Sequence, residues 1–186
     1  MLNEKTLRRI RLGLLVFLVV LLQTTLFSSL RVFGVAADVG LVMSVAIGYR
    51  EGPEAGAIFG FAAGFAIDMF LQTPIGISAL TYSMTGYGAG LVQLGLARSS
   101  WWIPSALGGV GGLVGGLGFI LVATVAGQED LLTLYALRVV VIAAVYDAVL
   151  APLLFPIAGW AIGKEARRDR GNRRPRPAAP RPASPA

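Results

Sequence analysis

The chain has 186 residues, 55% of them hydrophobic and only 14% charged, with a net charge of +6 at pH 7. With almost no polar linker before Lys164, that balance leaves no room for a soluble domain with its own core, so function has to sit within or against a membrane. There is no Cys and no His, which excludes disulfide frameworks, Cys or His metal clusters, thiol nucleophiles and Ser-His-Asp arrangements, so carboxylates alone would have to carry any catalysis.

Residues 1–11 read as a basic cytoplasmic segment, with Lys5, Arg8, Arg9 and Arg11 ahead of the first apolar run, Leu12 to Leu30. As a helix that run spans roughly 28 Å, about one hydrocarbon core. A cleaved signal peptide is the rival reading, since Val35-Ala36-Ala37 could pass as a cleavage site. The run is longer than a usual signal core, however, and it carries Gln23-Thr24-Thr25. The second run, Val39 to Tyr49, is short for a crossing unless the bilayer thins or neighbours cover its ends, and a re-entrant hairpin stays open.

The third run starts at Gly52-Pro53-Glu54, where Pro suits a first helical turn, and continues to Leu71 before Gln72-Thr73-Pro74 breaks it. The fourth extends from Ile75 to Ala97. Arg98-Ser99-Ser100-Trp101-Trp102 then forms a polar turn with an aromatic pair suited to a membrane interface, and the fifth run covers Ile103 to Ala126. Gln128-Glu129-Asp130 closes it. The last run, Leu131 to Ile162, is too long for one straight span, so its start is expected along the interface and its spanning part from near Arg138.

The expected fold is therefore an all-α integral membrane protein with six transmembrane helices in residues 12–163 and both termini cytoplasmic. The charges agree: Arg50 and Arg98 fall on the side of the termini, while the opposite loops hold Arg31 with Asp38, then nothing charged, then Glu129 with Asp130. Residues 164–186 hold eight Lys and Arg against Glu165 and Asp169 and end in PRPAAPRPASPA, a disordered tail by composition. Two roles suit it equally, attraction to anionic lipid headgroups and simple anchoring of topology. Nucleic-acid binding is not expected, because the tail has no aromatic platform.

Gly52, Gly56, Gly60, Gly64 and Asp68 recur at a spacing of four, which leaves one face of the third helix as bare backbone. Gly86 and Gly90 repeat the device on the fourth helix, and Gly108, Gly112 and Gly116 with Gly111 and Gly115 on the fifth. Such stripes are more often internal helix contacts than surfaces for a partner protein. Asp68, ionisable and deep, is a functional candidate by default, with Gln23, Asp38 and Arg138 as candidate partners at similar depth. A pair between Asp68 and Arg138 is the expectation, and its plainest role is to orient helices. Asp147 lies five residues before Pro152 and nine before Pro156. A carboxylate beside a proline-broken helix could form a proton or cation site, or equally a protonated Asp bonded to a neighbouring helix. Pro74 and Gly76 form a tight external turn. No nucleotide loop, HExxH or GxSxG occurs, so no catalytic, cofactor or metal site is expected.

Three segments, LQTTLFSSLRVFGVAAD, REGPEAGAIFGFAAGFAIDMF and TPIGISALTYSMTGYGAG, together within residues 22–90, resemble the rod shape-determining MreD family of bacteria. They hold a Gln near the end of the first helix, an Asp opening the second, a Gly ladder ending in Asp, and a Pro-x-Gly turn leading to Tyr and Gly. Ala37 departs from the family, which often has Pro there. The fourth to sixth spans match only in hydropathy and length.

The resemblance implies a non-catalytic scaffold of the cell-elongation machinery in the cell inner membrane. Its implied partners are MreC and the peptidoglycan synthase pair, a shape-elongation glycosyltransferase with a class B penicillin-binding protein, and indirectly MreB. It also implies a six-helix fold similar to the substrate-binding subunits of energy-coupling-factor transporters, so a solute-capture subunit of such a transporter is the alternative. The short external turns, poor in polar groups, favour the scaffold. Self-association into a homo-oligomer is compatible with either.

Overall fold

The computed structural model describes residues 4–26, 34–70, 74–93, 101–128 and 133–162. These residues form six α-helices and no strand. They are α1 (Glu4–Leu21, continued by a π-helical turn at Leu22–Leu26), α2 (Val39–Glu51), α3 (Pro53–Asp68), α4 (Ile77–Val92), α5 (Ile103–Val125) and α6 (Leu134–Ile162). The expected ends of the first run at Leu30 and the fourth at Ala97, the residues Arg31, Gln72, Thr73, Arg98, Glu129 and Asp130, and the 164–186 tail lie outside the described residues.

Two helices, α5 and α6, are long and apolar enough to cross a membrane. α2, α3 and α4 have 13, 16 and 16 residues. The last run forms one helix of 29 residues with Pro152 and Pro156 inside it. Both prolines are exposed.

α2 is the axis of the fold. Every residue from Val39 to Tyr49 is buried, and α2 packs against each of the other five helices. A helix that is apolar all round belongs in a core, and this explains why the second run is both short and lacking a polar face. At about 1.5 Å per residue it is about 20 Å long. The other helices turn large apolar side chains outward, among them Phe17, Ile58, Phe61, Met84, Val114, Leu121, Val149 and Leu153.

The glycine stripes are internal seams. α3 runs antiparallel to α4, and the two backbones touch one turn at a time. A methyl group on Gly56 would strike the Gly86 carbonyl, one on Gly60 the backbone of Tyr82 and Ser83, and one on Gly64 the backbone of Ser78 at 2.5 Å. Gly48 of α2 also abuts Gly86, so three helices meet where three glycines leave room. Gly52 differs from the rest of the ladder. It has φ 112° and open space at its Cβ, so it serves the turn between α2 and α3 through a backbone conformation that side chains disfavour. On α5 the two stripes face different neighbours, Gly108, Gly112 and Gly116 meeting α6 while Gly111 and Gly115 meet Val45 and Leu41 of α2.

Candidate functional site

The N-terminus of α2 begins inside the bundle, and its first backbone N–H groups cannot be left bare. Asp38 is the N-cap and its Oδ1 accepts from Leu41 N–H at 3.0 Å. Gln23, in the π-helical turn that ends α1, accepts from Val39 N–H at 3.0 Å through Oε1 and donates through Nε2 to the Ala37 carbonyl at 3.2 Å. Asp147, from the middle of α6, accepts from Asp38 N–H at 2.8 Å. Tyr82 of α4 completes the junction, its hydroxyl donating to the Asp38 carboxylate at 2.7 and 2.6 Å. Side chains from α1, α4 and α6 thus converge on one helix end.

Packing fixes these groups. Asp147 is 1% exposed, and a methyl on Gly112 would lie 2.7 Å from its Oδ2, so α5 closes the site from one side. Gly40 closes it from another, since a Cβ there would meet Ile67 Cδ1 and Tyr82 Cε2 at 2.8 Å.

Asp68 forms a second polar knot. It is also 1% exposed, and it accepts from Gly76 N–H at 2.8 Å and from Ser78 and Ala79 N–H at 3.1 and 3.3 Å, through Oδ2. The carboxylate at the end of α3 therefore caps the start of α4 across the turn that contains Pro74 and Gly76, and Gly76 takes the left-handed φ of 107° that the turn requires.

This arrangement corrects the expected pairing of Asp68 with Arg138. Arg138 is exposed on α6, which does not pack along α3, and the Asp68 oxygens are taken by backbone N–H groups. Sequence spacing placed the two at similar depth but carried no information on which side of the bundle each lies. α6 is one continuous helix around Asp147, and the Asp147 carboxyl is bonded to the backbone at the head of a neighbouring helix.

Gln23, Asp38 and Asp147 are thus brought together, while Gly56, Gly60, Gly64 and Asp68 line the α3–α4 seam. Tyr82 was missed as a site residue. Its signal was visible, a bulky ring standing in the otherwise small ladder Ser78, Tyr82, Gly86, Gly90. Among the described residues no group of three or more acidic side chains is placed to hold a metal ion.

Chemically, the two knots accept and donate hydrogen bonds inside the protein. No family model, curated protein or solved structure matches the chain. Replacing Tyr82 by Phe should destabilise the protein by about 1.5–3 kcal/mol, the value of a hydrogen bond to a charged acceptor. Thermal melting of the purified protein checks this, and an unchanged melting temperature would show that Asp38 does not need the hydroxyl.

Proposed function

We propose that this chain is a multi-pass, non-catalytic membrane scaffold of the MreD type. In this reading six helices cross the bilayer, both termini are cytoplasmic, and the protein binds MreC and associated peptidoglycan synthases of the cell-elongation machinery. The observation that carries the reading is the use made of the polar residues in the quoted motifs. Gln23, Asp38 and Asp68 are spent on the heads of α2 and α4, and the Gly ladder is spent on the α3–α4 seam. A protein built to capture a solute would turn several such groups toward a pocket. One groove among the described residues, of about 270 Å³ between α1 and α3, is lined almost wholly by apolar side chains such as Val16, Phe17, Val20 and Phe70.

The physical logic of a bilayer supports the same reading. α2 starts about 20 Å from the end it shares with the C-terminus of α6, well short of a hydrocarbon thickness of about 30 Å. Its head would therefore lie within hydrocarbon, where an unsatisfied N–H costs several kcal/mol, and the junction seals it. The outward apolar side chains of α1 and α3 to α6 would face lipid.

The test is affinity purification of the chain, tagged at its N-terminus and mildly cross-linked in its native membrane, with mass spectrometry of every co-purifying protein. Recovery of MreC or a peptidoglycan synthase is expected. Recovery of a transmembrane coupling subunit with paired ATPases would replace the proposal with solute capture.

A further inference from the structure

We propose that the chain's three tryptophans, Trp101, Trp102 and Trp160, form a belt seated among the lipid headgroups of one leaflet, and that Arg138 with Tyr135 marks the boundary with the other leaflet. The inference rests on the multi-pass reading above and goes beyond it by fixing which residues meet the two edges of the bilayer.

The fold gathers tryptophans that the sequence scatters. Trp102 is the N-cap of α5 and Trp101 precedes it, whereas Trp160 lies in the last turn of α6. α5 and α6 run antiparallel, since a Cβ on Gly108 would meet Ala151 and one on Gly116 would meet Val140. The start of α5 therefore stands beside the end of α6, and all three indoles of the chain share one end of the bundle. Trp101, Trp102 and Trp160 are 89%, 55% and 70% exposed. Arg11 of α1 joins them, its guanidinium 5.9 Å from the centroid of the Trp160 ring. An indole combines an apolar body with one N–H donor, so it is best placed where hydrocarbon gives way to headgroups and water.

Spacing along α6 supplies an independent measure. Arg138 lies 22 residues before Trp160, about 33 Å at about 1.5 Å per residue, close to a hydrocarbon thickness of about 30 Å. Arg138 and Tyr135 are both exposed. Between Arg138 and Trp160 the large outward side chains are Val141, Val145, Val149, Leu153 and Ile157, one for each turn. The acidic residue within that interval, Asp147, is buried. α6 thus turns outward an apolar band with a cationic and phenolic edge at one end and an aromatic edge at the other. A protein partner imposes no such length on a helix, and water does not favour such a band, whereas a bilayer sets both the length and the character of the ends.

The experiment reads the fluorescence of the full chain, whose tryptophans all belong to the belt. The chain is reconstituted in phosphatidylcholine vesicles and washed at alkaline pH. Its emission is then quenched by phosphatidylcholine that carries a nitroxide either at the headgroup or deep on an acyl chain. Wild type is expected to be quenched more strongly by the headgroup label. So is each of three variants that keep one tryptophan and replace the other two by Phe. An internal ruler comes from Val149→Trp in a chain whose three native tryptophans are replaced by Phe. Val149 lies midway between Arg138 and Trp160, about 16 Å from each, so the ratio of the two quenching strengths should reverse in favour of the deep label.

A wild-type chain that stays in the vesicles but is quenched equally by both labels, more by the deep one, or by neither would overturn the belt and leave the multi-pass reading standing. Stronger headgroup quenching in the Val149→Trp chain would overturn the band between the two edges. Should the substituted chains fail to fold, wild type decides. A chain released by the alkaline wash sinks the multi-pass reading and this inference with it.

Discussion

Gly56→Ala is expected to destabilise the protein by about 3–5 kcal/mol, in the range of severe core overpacking. The added methyl would lie 2.6 Å from Gly48 Cα and against the Gly86 carbonyl. Both obstacles are backbone, so no side chain can rotate away, and α2, α3 and α4 would have to separate together. Under the membrane reading proposed above, apolar burial supplies little net drive between helices, so lost contact at a close crossing is not regained by repacking apolar side chains. Gly88→Ala provides the internal comparison on α4, because nothing lies within 4 Å of a Cβ there. It should be neutral, or stabilising by up to about 1 kcal/mol, as Ala is the better helix former. Thermal melting of the two purified variants distinguishes the cases. Equal melting temperatures would mean that the three-glycine crossing is not where the fold depends on close approach.

How much of this was legible in the sequence follows from the kind of information each feature needed. Helix positions were readable because apolar runs and Pro53 are local signals, and α3 and α5 begin where the composition places them. The Gly56, Gly60 and Gly64 ladder announced a backbone contact, since a period of four puts glycines on one helical face. Its partner stripe on α4 was legible for the same reason at Gly86 and Gly90. The central place of α2 was only half legible. An unbroken apolar sequence implies burial on all sides, but shortness pulled the reading toward a thin crossing or a hairpin.

Long-range pairing was the part that sequence could not supply. Asp147 and Asp38 are 109 residues apart, and nothing local says that α6 presents its carboxylate to the head of α2. The expected Asp68–Arg138 pair failed for the same reason. Opposite charges at matching depth suggest a partnership only when the helices adjoin, and α3 and α6 do not pack along each other. Asp68 had nearer claimants that the sequence did display, the N–H groups of a turn only eight to eleven residues on. A carboxylate followed by a Pro-x-Gly turn and a new helix is a capping arrangement before it is an ion pair.

That distinction makes the replacement of Asp68 the second large effect. Asp68→Ala removes the acceptor for Gly76, Ser78 and Ala79 N–H, with Ser78 2% exposed, and a buried donor left without a partner costs about 1–3 kcal/mol. Three such losses, eased by some local opening of the turn, should cost about 4 kcal/mol in all. Asp68→Asn should cost about half as much, because its amide oxygen still accepts while its NH2 group faces donors that it cannot satisfy. Arg138→Gln should change stability by less than about 0.5 kcal/mol, as befits an exposed side chain. Hydrogen exchange supplies the local readout: the Ser78 and Ala79 amides should lose protection first in the Ala variant, while those in the middle of α4 keep theirs. An ion-pair role predicts the opposite order, with Asp68→Asn and Arg138→Gln equally harmful and the Ser78 amide unaffected in either. The order Ala, then Asn, then Arg138→Gln identifies Asp68 as the cap that joins α3 to α4.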